Sequence, residues 1–147
     1  MTTIRAFHKI LSHQERLKNQ AQVNYQEAVK SFEQVATKLY ALLQKKERVE
    51  TEYNYYLQAS GTVTTLATHY AYIEQIKKQI EAVQVEVNRE RFNMEKKQEK
   101  LTEAHVEVKK FEKIIEKKKS NIIALEVYQE SQAMDEVSNR QYFSRDR

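Results

Sequence analysis

An all-α fold, a long antiparallel two-helix coiled-coil hairpin with a C-terminal helical overhang, is what this sequence predicts, and three observations predict it. The chain has 147 residues with no proline and a single glycine, Gly61, so almost nothing interrupts a continuous helix. Apolar residues recur at alternating steps of four and three on both sides of that glycine. Charged residues make up 31% of the chain and the mean hydropathy is −0.81, which leaves apolar material for one seam and too little for a multilayer core.

Helix one is expected over about residues 4–58. Its seam reads Ala21, Tyr25, Ala28, Phe32, Val35, Leu39, Leu42, Lys46, Val49, Tyr53 and Tyr56, with only Lys46 out of character. Upstream, Ile10, Gln14 and Leu17 lead to Ala21, and a second four-residue step then follows to Tyr25. That slip predicts a stutter which locally relaxes the supercoil.

The turn is expected over about residues 59–65, where small and β-branched residues gather around Gly61. Gly61 suits a left-handed C′ position, and Thr62, Thr64 or Thr65 can cap the next helix. Helix two follows over about residues 66–140, with a short tail at 141–147. Its seam runs Ile73, Ile76, Ile80, Val83, Val87, Glu90, Met94, Lys97, Leu101, Ala104, Val108, Phe111, Ile115, Lys118, Ile122 and Leu125, broken only by Glu90, Lys97 and Lys118. A short connection makes the helices antiparallel neighbours, whereas one uninterrupted helix that dimerises is the competing architecture.

The arms are unequal. Helix one offers roughly 80 Å and helix two roughly 110 Å at about 1.5 Å per residue. With the turn at Gly61, facing residues have numbers adding to about 122, which puts Phe32 near Glu90 and Ile4 near Lys118. Ile122, Ile123, Leu125, Val127 and Tyr128 then lie beyond the reach of helix one and carry surface for another protein.

No catalytic constellation is found. One glycine cannot build a phosphate-cradling loop. His8, His13, His69 and His105 show no i, i+4 pair that would aim two imidazoles at one metal, and no cofactor is implied. The carboxylates of Glu86, Glu90, Glu95, Glu99, Glu103, Glu107, Glu112 and Glu116 lie on a solvated helix, where pairs such as Glu74 with Lys78 and Glu107 with Lys110 contribute about 0.2–0.5 kcal/mol each. Lys96, Lys97, Lys100, Lys109, Lys110, Lys113, Lys117, Lys118 and Lys119 are interleaved with these glutamates, so nucleic acid is not the expected partner. No stretch reaches the roughly 20 apolar residues of a membrane span, and Met1 to His8 lack the apolar core of a signal peptide. A cytoplasmic, non-enzymatic, protein-binding role is what remains.

The aromatic residues narrow that role. Tyr25, Tyr53 and Tyr56 fall on the seam, whereas Tyr40, Tyr55 and Tyr72 fall off it, the last two near the turn. Tyrosine presented on a rigid hairpin buries a large area at low entropic cost. Tyr142 and Phe143 stand in a polar tail, where contact with a partner would explain them.

Phe7 and Leu11 opening helix one, then Gly61 followed by Leu66, Tyr70, Tyr72, Ile73, Ile76 and Ile80, together with the ending Met134, Asp135, Glu136, Val137 and Arg140, resemble the FliJ family. Members of that family belong to the bacterial flagellar type III export apparatus, and the likeness spans nearly the whole chain. The resemblance implies a coiled-coil stalk similar to the γ subunit of rotary ATPases. It further implies three partners, namely a hexameric export ATPase (FliI-like), an export-gate protein (FlhA-like) and export chaperones, with peripheral placement at the cytoplasmic face of the membrane and no insertion into it. The positions matching the family's gate-binding row are Tyr53, Tyr72 and Ile76, with Val49 aliphatic where that row would be aromatic. Phe7, Leu11, Met134, Val137, Arg140 and Phe143 are the positions expected at the ATPase ring. A general coiled-coil scaffold unconnected with flagella is the competing function, and a basic nucleic-acid-binding coiled coil is a second.

Overall fold

The computed structural model describes residues 2–59 and 61–145, so Ser60 of the expected turn and Asp146 and Arg147 of the expected tail lie outside the described residues. Two helices account for nearly all of it: α1 (Thr2–Gln58) and α2 (Val63–Arg145). They pack on one another as a helical hairpin, and among the described residues there is no strand. α2 starts at Val63 and continues to Arg145, through Gln141 to Ser144 that the sequence reading assigned to a tail. Nothing in that stretch breaks a helix, since it contains neither glycine nor proline.

Hydrogen bonds at both helix ends define the turn. Gly61 donates its backbone N–H to the Tyr56 carbonyl at 2.8 Å, a 6→1 bond that closes the end of α1. Thr65 donates its N–H to Oγ1 of Thr62 at 3.1 Å, which makes Thr62 the N-cap, and Leu66 N–H reaches the Thr62 carbonyl at 3.0 Å as the first bond of α2. The expected left-handed C′ at Gly61 is corrected here. The backbone of Gly61 is not left-handed; a Cβ on it would meet the Tyr56 carbonyl oxygen at 3.0 Å and the Tyr56 Cβ at 3.2 Å. Glycine is used at this position for close approach, one residue further along than a C′.

Two compact units divide the hairpin, and each has its own core. In Gln20–Thr102, which contains the turn, the buried side chains are Ala28, Val49, Ile73, Ile76, Val83 and Val87. Val49, Ile73 and Ile76 form one cluster, with Tyr53 and Ile80 packed against it. Arg91 lies over the Phe32 ring at 5.8 Å, which agrees with the facing of residues 32 and 90. The second unit joins Met1–Asn19 to Glu103–Arg147, and its buried residues are Val108 and Ile115. There Phe7 packs on Phe111 with ring centroids 6.2 Å apart, and Lys118 Nζ sits 5.2 Å above the Phe7 ring.

Every seam position of α2 from Ile73 to Ile122 is buried or half-buried, while Leu125 is exposed. On α1 the seam departs from expectation. Ile10 and Leu17 are exposed, and the covered positions are Ile4, Phe7, Leu11, Gln14, Lys18 and Ala21. That series keeps the alternation of three and four unbroken into Tyr25 and Ala28, so the stutter does not exist. A lysine stem can cover the seam while its ammonium stays in water, which is how Lys18 occupies the place that Leu17 would have taken. Tyr56, also counted on the seam, is exposed because the hairpin ends beside it.

Candidate functional site

Two groups of side chains were expected to bind partners, and each sits within one unit. In the unit carrying the turn, Tyr72 is exposed on the flank of α2, with Lys45 Nζ 5.2 Å from its ring centroid. Tyr53 is half-buried against the core cluster. Val49 and Ile76 are in that cluster, and Ile76, at 1% exposure, is the most deeply buried large side chain among the described residues. A residue sequestered to that degree cannot touch a partner while the hairpin is closed. Val49 and Ile76 therefore belong to the packed core of this unit, and Tyr72 to its surface.

Around the turn the structure gathers aromatic residues that the sequence reading left apart. Tyr56 packs edge-on to Tyr55 at 5.7 Å and lies 5.0 Å from the His69 ring. The imidazole Nδ1–H of His69 donates to the Thr65 carbonyl at 3.0 Å, which turns Nε2 toward Glu52 on α1, 3.9 Å away. Leu57, Val63 and Tyr70 are exposed nearby. Their signal in the sequence was their position beside the seam within three heptad steps of Gly61. Together these groups offer apolar and aromatic surface with one imidazole and one carboxylate, a composition that suits protein recognition.

In the unit that holds the chain termini, Phe7 and Leu11 are half-buried, with Phe7 committed to Phe111 and Lys118. Met134, Val137, Arg140 and Phe143 are all exposed on α2 beyond Ile122, and Tyr142 packs edge-on to Phe143 at 6.0 Å. Phe7 and Leu11 thus belong to the paired part of this unit, whereas the other four stand on helix that α1 does not cover. No other residue from Ile123 to Ser144 is covered either.

The ion pairs among the described residues are exposed or half-exposed contacts. Glu74 pairs with Lys77 at 3.3 Å, not with Lys78 as expected, and Glu107 pairs with Lys110 at 3.3 Å. Steps of three and four both bring helix neighbours into reach, and the shorter step is taken at Glu74. Among the described residues no group of three or more histidines, aspartates or glutamates gathers as a metal set.

The chain matches the family described as "Flagellar FliJ protein" over residues 3–147. It belongs to the FliJ family. A curated member, the "Flagellar FliJ protein" of Bacillus subtilis (strain 168), is 35% identical over 136 residues, covering 92% of each chain. No solved structure matches. Membership makes this FliJ-family chain a flagellar protein related to export, and the helical hairpin agrees with the coiled coil that its heptads encode. Among the described residues, no helix of this family member is long and apolar enough to cross a membrane.

Proposed function

We propose that the protein is a non-enzymatic adaptor of flagellar type III export, whose turn end binds an export-gate protein and whose terminal end engages the export ATPase. The observation that carries the reading is where the uncovered aromatic and apolar side chains collect. One set, Tyr72 with Tyr55, Tyr56 and Tyr70, surrounds the turn; the other, Met134, Val137 and Phe143, stands on unpaired helix. Other exposed apolar residues, such as Tyr40, Val85 and Phe92, are scattered singly along the hairpin, whereas aromatic and apolar residues gathered in one place mark surface that another protein covers.

Tyr72 is the contact residue at the gate end, flanked by Lys45, while Tyr53 is half-buried against the core cluster that holds Val49 and Ile76. Met134, Val137, Arg140 and Phe143 are the contact residues at the ATPase end, where Phe7 and Leu11 lock the adjoining hairpin. Export chaperones are a third class of partner, taken up from the cytoplasm. Work at the cytoplasmic face of the membrane follows from attachment to the gate. Because both surfaces are carried on the same two helices, differential affinity at each end for particular partner states couples the partners, with no chemistry in this chain.

The test is binding of Tyr72→Ala and of a chain ending at Ala133 to purified gate protein and ATPase. Tyr72→Ala should weaken gate binding alone, and the truncation should lower ATPase stimulation alone, with helicity per residue retained in both. Unchanged affinity in Tyr72→Ala would remove the gate contact. Full stimulation by the truncated chain would remove the ATPase contact.

A further inference from the structure

Beyond Ile122 the seam of α2 loses its apolar content, since the positions that continue it are Leu125, Gln129, Gln132, Glu136 and Asn139. A different row takes over. Ile123, Val127, Met134 and Val137, all more than half exposed, follow one another at steps of four, seven and three. Those steps place them on one face, turned about 160° from the seam and so nearly opposite to it. The overhang is therefore not a run of hairpin waiting for more of α1. It carries a second heptad, and a heptad is read by another helix.

We infer that this face pairs with the same face of a second copy of the chain, antiparallel about a twofold axis. Charge and size on its two borders select that occupant. One border is Ala124, Ser131 and Ser138, small enough for two helices to approach closely. The other carries Glu126 and Arg140. When Val127 faces Val137 of the second copy, Glu126 of each chain lies beside Arg140 of the other, and two reciprocal ion pairs close the interface. The one charge on the face itself, Glu130, then meets Met134 of the second copy. A parallel pair would instead set Glu130 against Glu130 and leave Arg140 without an acid, so the antiparallel arrangement is favoured. The contact is self-complementary, as a twofold interface requires. It does not depend on the partners proposed above, and it would compete with any of them for Met134, Val137 and Arg140.

Sedimentation equilibrium of the full chain over a dilution series tests this, with circular dichroism to confirm helicity. A reversible monomer–dimer equilibrium is expected. Arg140→Glu and Glu126→Arg should each weaken the dimer about tenfold or more, and Val127→Asp should abolish it. The double swap E126R/R140E should return the dissociation constant to within about threefold of the native value, because the reciprocal pairs reform with reversed sign. All three positions are exposed on unpaired helix, so the hairpin core is untouched. A chain that stays monomeric across the series would overturn the inference and leave the face to a helix of another protein. A double swap as dissociated as the single variants would overturn it as well.

Discussion

At the scale of single residues, Tyr72 and Ile76 are one helical turn apart and have opposite uses. Ile76 is closed inside the cluster with Val49 and Ile73, whereas Tyr72 stands out from it beneath Lys45. Ile76→Ala should cost about 2–5 kcal/mol of stability, and Tyr72→Ala no more than about 1, the size of an exposed cation–π contact. Urea denaturation followed at 222 nm measures both, and equal losses would mean that Tyr72 is part of the core. The same contrast shows what was legible in the sequence and what was not. Heptad positions on α2 could be read because their apolar content is nearly continuous. On α1 near the start, the identities pointed the wrong way: Ile10 and Leu17 are apolar yet outside, while Gln14 and Lys18 are polar yet cover the seam. A long polar side chain can cover a seam with its stem, and composition at one position carries no signal of that. Leu17→Gln should accordingly change stability by less than about 0.5 kcal/mol, and Leu11→Ala by clearly more. A comparable loss from Leu17→Gln would restore the stutter.

At the scale of elements, the turn was legible in outline and not in detail. Gly61 and its threonines marked where α1 stops, because no other position along the chain combines a glycine with candidate caps. Which threonine caps and how the glycine is used depend on the path of four or five backbone units, which no residue type encodes alone. Thr62 is the N-cap, with its Oγ1 also 2.8 Å from the Thr65 hydroxyl. Thr62→Ala should therefore cost about 1 kcal/mol, and Thr64→Ala much less, in the same denaturation assay. The aromatic gathering at Tyr55, Tyr56 and His69 is likewise a product of the turn's geometry, since these residues come together only when α2 folds back beside α1. The candidate gate surface was half legible for the same reason. The sequence located its neighbourhood, but only the packing separates Tyr72, which can be touched, from Val49 and Ile76, which cannot.

At the scale of the whole molecule, a hairpin stabilised through its seam should be indifferent to helix that nothing covers. From Ile123 to Ser144 every residue is exposed, so that stretch adds helix without adding core. Ending the chain at Ala124 removes all but its first two residues while keeping Phe7, Phe111, Ile115 and Lys118 in place. In dilute solution, where chains are single, the unfolding free energy should then stay within about 0.5 kcal/mol of the full-length value, while the helical signal falls in proportion to the residues removed. Concentration separates this from pairing between copies. Anything that binds the folded chain and not the unfolded one raises its apparent stability by mass action, so the full chain's melting temperature should climb with protein concentration. The truncated chain's should not. A truncated chain much less stable in dilute solution would show that the overhang folds back on its own hairpin, contrary to the exposure seen along its length. A full chain whose melting temperature is flat with concentration would leave the heptad of Ile123, Val127, Met134 and Val137 to a helix of another protein.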